Sequence, residues 1–223
     1  MTQLVAPDLD RLDGYAAALR AGWSPNTTRD VTGEELAALR DDATGHLRVL
    51  RGEMPGMIHL PDGREVARLP GLVRWIWDDA FCGSINLRHQ PGTEELPAHV
   101  SGHVGYSVVP WKQRLGHATR ALALLLPIAR VLGLPRLLIT CDEDNRASRR
   151  VIEANDGVPD GTEPHADRPG IRKLRFWVAT DGSAAREVAA IERGRADVRA
   201  GRVVPHGEVM DTARVLIQSS NRQ

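Results

Sequence analysis

The chain has 223 residues, of which 42% are hydrophobic and 26% charged. These values fit a globular protein of one domain plus an appendage and exclude disordered, collagen-like and coiled-coil classes for the bulk of the chain. Twenty-nine basic residues balance 29 acidic ones, so no global field favours nucleic acid or an anionic membrane, and any anion site must be local. Cys82 and Cys141 lie in apolar runs with no C-x-x-C partner and read as buried thiols rather than metal ligands. The opening MTQLVAPDLD carries no basic or apolar signal segment, and the longest apolar run, Ala121 to Ala129, is too short to span a bilayer. A soluble, cytoplasmic protein is expected.

In chain order, Leu9 to Ala21 has apolar residues at helical spacing, with Gly22 as a stop. Thr32 to Glu35 has capping-box spacing and opens a helix toward Leu50, with a break expected near Thr44–Gly45. Met57–Leu60 and Glu65–Leu69 flank the turn Pro61-Asp62-Gly63-Arg64 and read as a hairpin. Val73–Trp77 and Phe81–Arg88 are strand candidates, His89–His99 a loop, and His103–Val109 a strand that stops at Pro110. The segment from Pro110 to Ala118 is a turn, followed by a helix over Thr119–Leu132 that Pro127 is expected to kink or shorten. Arg136–Cys141 is a buried strand, Asn145–Ala154 a helix, Asn155–Gly170 a polar loop and Ile171–Val178 a closing strand. Runs of strands followed by strand–helix units predict an α+β fold for residues 1–180, with a mixed, mostly antiparallel sheet flanked by helices. Residues 181–223 read as a tail of two helices, over 184–200 and 207–218.

The most informative stretch is Val108-Val109-Pro110-Trp111-Lys112-Gln113-Arg114-Leu115-Gly116-His117-Ala118-Thr119. A strand ends and a helix begins, with small residues at Gly116 and Ala118 that let another group approach the backbone. The first N–H groups of a helix lack internal partners and carry partial positive charge, which suits a phosphate. Lys112 and Arg114 add local charge. An ordinary helix start with a packing glycine accounts for the same residues. Neither G-x-x-x-x-G-K nor G-x-G-x-x-G is present.

Gln113-x-x-Gly116-x-Ala118 fits the Q/R-x-x-G-x-G/A motif, and the chain resembles the GCN5-related N-acetyltransferases (GNAT) over roughly residues 5 to 178. The segments Gly105 to Trp111, Gly116 to Leu122, Asp144-Asn145-Arg146-Ala147-Ser148 and Trp75-x-Trp77-Asp78 carry the resemblance. It implies the GNAT fold and acetyl-CoA as co-substrate, with no metal. The amides of Gln113, Arg114, Leu115, Gly116, His117, Ala118 and Thr119 would hold the pyrophosphate. The strand at Val108 and Val109 would pair with the pantetheine arm and polarise the thioester carbonyl. Asn145, with Ser148 on the same helix face, would bind the pantetheine or sulfur region; a plain N-cap is an equal account of Asn145.

Many members of the family place a proton-donating tyrosine seven residues after that asparagine; here the position is Ile152, and Tyr106 is the candidate substitute, with water as the other. Arg114 and Leu115 also depart from the family's usual glycine and basic residue. An amine of pKa ~10.4 must lose a proton before it attacks, so a base is expected. His103 is a candidate, beside a purely structural role; Asp78, Asp79 and Glu95 are others, the aspartates doubling as turn formers. The acceptor implied is a primary amine of unspecified identity.

Ile191 to Val209 is similar to the C-terminal segment of small ParD- or RelB-type antitoxins. No ribbon-helix-helix reader precedes it, so DNA binding is not expected; the tail is expected to pack in a homodimer or to bind a partner. The alternative to an acetyltransferase is a non-catalytic acyl-CoA-binding or partner-binding module linked to a toxin–antitoxin system.

Overall fold

A computed structural model describes residues 1–59, 63–165 and 168–182, together with 190, 193, 194, 196 and 198–201. The chain divides into two units, Met1–Arg186 and Glu187–Gln223. The first unit is α+β. It opens with β1 (Gln3–Val5), α1 (Leu12–Arg20) and α2 (Thr32–Arg51), followed by the hairpin β2 (Met57–His59) and β3 (Glu65–Ala67). Strands β4 (Gly71–Asp78), β5 (Ala80–Arg88) and β6 (Val104–Val108) come next. Helix α3 (His117–Val131), strand β7 (Arg136–Asp142), helix α4 (Arg146–Glu153) and strands β8 (Val158–Pro164) and β9 (Arg172–Ala179) complete it.

One sheet runs β1-β4-β5-β6 and another β7-β9-β8, and every ladder in them is antiparallel. The first sheet is buried on both faces, because period-two alternation sends its side chains into separate cores. On one face Val73, Trp75 and Phe81 pack against Tyr15, Leu19, Leu47 and Leu50 of α1 and α2. On the other, Ile76, Ile85 and Leu87 meet Leu122, Leu125 and Leu126 of α3 and Leu137 and Ile139 of β7. The two sheets touch where His103, just before β6, donates its N–H to Leu138 O at 2.8 Å. No ladder joins β6 to β7 among the described residues, so β6 presents an unpaired edge beyond that point.

Several expectations are corrected. β1 is a strand that the sequence reading lacks; its three residues have no recognisable alternation, and Gln3, Leu4 and Val5 gain their ladder from Trp77, Ile76 and Trp75 far along the chain. α1 begins at Leu12 rather than Leu9, which is exposed. α2 breaks at Asp42 (φ −154°, ψ 84°), and the Asp42 carboxylate accepts the Gly45 N–H at 2.9 Å, so the aspartate re-caps the helix. α3 continues through Pro127 to Val131. Leu125, Leu126 and Ala129 around it are wholly buried, and that packing outweighs the one backbone hydrogen bond that proline removes. The loop expected over 155–170 contains β8, an edge strand paired with β9 and broken in register between Pro159 and Thr162. Its residues are almost all exposed, so no hydrophobic pattern announces it.

In the second unit the described residues 190 to 199 are helical. Ala200 N–H donates to Ala196 O, and Gly201 has φ +69°. The second helix expected, over 207–218, lies outside the described residues, as does most of the antitoxin-like segment.

Candidate functional site

The end of β6 leads directly into a turn built around helix-start chemistry. Val109 donates its N–H to Cys82 O at 2.9 Å, and Pro110–Lys112 form one 3-10 turn. Gln113 folds back, its Nε2 donating to Val108 O at 3.2 Å. Arg114 (φ 62°) and Gly116 (φ 81°) are both left-handed. A Cβ on Gly116 would meet nothing within 4 Å, so open space lies in front of the turn. The first intrahelical bond of α3 runs from Arg120 N–H to Gly116 O. The N–H groups of His117, Ala118 and Thr119 precede any helical acceptor, as geometry requires. Gln113, Arg114, Leu115 and Gly116 are exposed around them.

Side chains in this segment divide. His117 turns inward, its Nδ1 2.9 Å from Thr2 Oγ1, so only its backbone faces the turn. Lys112 also turns inward, its Nζ 3.5 Å from both Asp78 O and Cys82 Sγ. Val109 is wholly buried and its N–H is spent on Cys82, so by strand alternation it is Val108, with Tyr106 two residues before it, whose N–H lies on the free edge of β6. Arg114 remains exposed with the turn. Sequence reasoning missed Arg120. Its Nε and Nη2 are buried without a hydrogen-bond partner among the described residues. The signal was available: the first turn of α3 holds no acidic residue, and a cation there opposes the helix dipole unless an anion is near.

Across the gap beside β6 stands the start of α4. Asn145 is its N-cap, Oδ1 accepting the Ser148 N–H at 3.0 Å. Ser148 Oγ lies 2.8 Å from Tyr106 Oη, so β6 and α4 are joined by two of the sequence candidates. Burial pushes the Tyr106 phenol up to about 12; the Ser148 hydrogen bond opposes this and nearby Cys141 adds to it. Tyr106 therefore keeps its proton at neutral pH and can donate it. Ile152 is wholly buried in the core beneath α4, where it closes against Gly157.

His103 has a structural position. It is fully enclosed, its Nδ1 accepts the Leu138 N–H at 2.9 Å, and its ring lies 6.3 Å from that of Trp177. Burial lowers its pKa to about 4, against a smaller opposing effect of the Leu138 hydrogen bond. His103 does not line the cleft that Tyr106 lines, and its contacts with Leu138 make it a pin between the sheets. Asp79 takes φ 57° in the β4–β5 turn, and Asp78 pairs with the amino group of Met1. Trp75 and Trp77 pack in the aromatic cluster around Phe81, while Trp111 is 56% exposed.

The cleft beyond Tyr106 has a volume of about 2160 Å³ and is walled by Tyr15, Glu35, His46, Ser84, Asn86 and Glu95 among others. It adjoins Tyr106 on the side of α1 and α2, while the helix-start turn, which does not line it, leads from the end of β6 into α3. The arrangement offers an anion cradle, an unpaired strand edge, a proton-bearing phenol and a separate cleft. Among the described residues no group of three or more His, Cys, Asp or Glu could hold a metal ion, and no helix is long and apolar enough to cross a membrane.

Residues 62–158 match the model of the acetyltransferase (GNAT) domain. No curated protein matches the chain by sequence. Among solved structures, it is similar to Mycobacterium smegmatis RimJ in complex with CoA-disulfide, at 20% identity and a TM-score of 0.58 over 86% of this chain and 90% of that one. It is similar to the Salmonella typhimurium acetyltransferase that modifies the N-terminal serine of the 50S ribosomal subunit protein L7/L12, at 16% identity and TM-score 0.53 over 80% and 94%. The microcin C7 self-immunity acetyltransferase MccE, in complex with acetyl-CoA and AMP, aligns at 12% identity and TM-score 0.50 over 80% and 92%.

Proposed function

From the premise that the chain carries an acetyltransferase domain of the GNAT family, we propose that it transfers the acetyl group of acetyl-CoA to a primary amine by direct attack. The observation that supports this best is the succession along β6 and α3. Tyr106 bears a held proton, Val108 has a free-edge N–H, and the open turn at Gly116 leads into the unpartnered amides of His117, Ala118 and Thr119.

These residues fit acetyl-CoA, which supplies a thioester already activated for acyl transfer. The amides from Gln113 to Thr119, with Arg114, would hold the pyrophosphate; a Cβ-free Gly116 leaves room for it. The edge of β6 would pair with the pantetheine arm as an added strand. The Val108 N–H would polarise the thioester carbonyl. The acceptor nitrogen would bond to the carbonyl carbon and release one proton to water in the cleft, the carbon–sulfur bond would break, and Tyr106 Oη would pass its proton to the departing sulfur and regain one from water. Ser148 orients that phenol from α4, and Asn145 holds Ser148 by capping the helix.

Ile152 favours a second reading, a non-catalytic acyl-CoA-binding module, because the position where many family members carry a proton donor is closed into the core. Release of free thiol from acetyl-CoA over a panel of primary amines separates the two. Amine-dependent release supports transfer; binding of acetyl-CoA without release supports the module.

The tail is proposed to bury its apolar residues against a second copy of the chain, in a cytoplasmic homodimer. Val198, 64% exposed in the single chain, is one such residue. Truncation after Asp181, read by light scattering, tests this: a truncated chain that stays dimeric removes the tail from the interface.

A further inference from the structure

The wall of the cleft formed by α1 and α2 holds a polar constellation that the transfer step above does not use. Tyr15 Oη donates to Glu35 Oε2 at 2.6 Å, and His46 Nε2 lies 2.8 Å from the same oxygen. Tyr15 is itself fixed, stacked on Trp75 at 5.1 Å and 22° and edge-on to Trp23 and Phe81. The side chains of Glu35 and His46 are 18% and 15% exposed, and both line the cleft that Tyr106 lines. Burial raises the pKa of Glu35, but the hydrogen bonds from His46 and Tyr15, with the charges of His46 and Arg68, outweigh it and leave the carboxyl below its ordinary value. It is an anion at neutral pH.

The other glutamates of this cleft are satisfied differently. Glu34 pairs with Arg29, Glu94 with Arg136 and Glu163 with Arg175, while Glu95 stands exposed on the loop after β5. Glu35 alone among them is mostly enclosed, oriented by two side chains through one oxygen, and without an arginine in hydrogen-bond contact. Arg68 acts on it only through its charge. Both held bonds use Oε2, and among the described residues Oε1 has no hydrogen-bond partner. A partly desolvated carboxylate with a pre-oriented open oxygen suits a charge-assisted hydrogen bond from a cation.

The reacting amine must be neutral when it attacks, so an anionic seat serves a group that stays charged. Resting on the amine-acetyltransferase reading, we infer that Glu35 Oε1, oriented by Tyr15 and His46, receives a second, protonated amino group of the acceptor, so that the cleft selects dicationic amines over monoamines.

The probes are 1,5-diaminopentane and 1-aminopentane, which share a reacting amine and differ in the distal ammonium. Each is titrated calorimetrically into the full chain saturated with CoA, so the comparison needs no turnover. The diamine is expected to bind at least about tenfold more tightly, the scale of one charge-assisted hydrogen bond. Glu35→Gln, which keeps an acceptor for the Tyr15 hydroxyl, is expected to erase the difference while CoA affinity stays unchanged and a cooperative melt shows that the chain remains folded. Equal binding of the two amines by the unaltered chain overturns the inference, as does a preference that survives in Glu35→Gln. Failure of the chain to bind acetyl-CoA or to release thiol counts separately against the transfer reading.

Discussion

Tyr106 Oη sits 2.8 Å from Ser148 Oγ, a bond that reaches from the edge of one sheet to the first turn of α4 across the gap where no ladder forms. This holds a phenol, kept protonated by burial, on the strand whose edge is proposed to pair with the pantetheine arm. Tyr106→Phe is expected to lower kcat by about 100-fold or more, the range of a lost general acid, with the KM for acetyl-CoA little changed. Because its pKa is pushed up to about 12, Tyr106 stays protonated below the ordinary tyrosine value near ~10. The kcat profile should therefore show no fall from this group between pH 7 and 9, roughly three to five units below that value. An unaltered rate in the Tyr106→Phe variant would assign the proton to water.

Gly116 and Gly133 bracket α3 with nearly the same backbone, φ 81° and 83°, and a Cβ meets nothing at either. A valine at each should cost a similar strain, roughly 1–2 kcal/mol. Only Gly116→Val should weaken CoA binding, because its side chain occupies the space in front of the helix N-terminus. Calorimetry with CoA and a thermal melt on both variants make the comparison; equal CoA affinity would remove the turn from the site.

Ile152 is wholly buried, and a Cβ on Gly157 would come within 2.4 Å of its Cγ2. Ile152→Ala is expected to cost about 2–5 kcal/mol of stability as a core cavity. In the folded fraction the pH dependence of kcat should not change, since this side chain has no proton to give. Chemical denaturation and a pH–rate profile measure the two effects.

His103 supplies a pH-dependent term. Its pKa is lowered from 6.5 to about 4 in the folded chain, so between those values the unfolded state binds a proton that the folded state refuses. The stability it contributes is present above about pH 6.5 and is lost as pH falls toward 4, by about 3 kcal/mol at full effect. His103→Asn keeps an acceptor for the Leu138 N–H and should flatten this part of the curve. Urea melts at pH 7 and pH 4.5 compare the slopes (a difference of about 2.5 units).

The sequence by itself determined the α+β order, the strand–turn–helix at Val108 to Thr119 and the cap at Asn145. Each of these is written in local chemistry: β-branched runs, a glycine where φ must be positive, and a side chain that satisfies a nearby N–H. It also named Tyr106 and Ser148 separately. Their meeting, the inward turn of His117 and Lys112, and the enclosure of His103 are long-range outcomes that no spacing encodes. β1 and β8 were illegible for the same reason, since an exposed or three-residue strand takes its identity from a distant partner's backbone rather than from its own pattern. Pro127 shows the converse: a local helix breaker is overruled because the leucines beside it are wholly buried against the sheet. The Tyr15–Glu35–His46 wall was decided last, by the packing of α1 on α2, which brings Tyr15 to Glu35 from 20 positions away, and by the break in α2 at Asp42, on either side of which Glu35 and His46 meet 11 positions apart in a wall of the cleft.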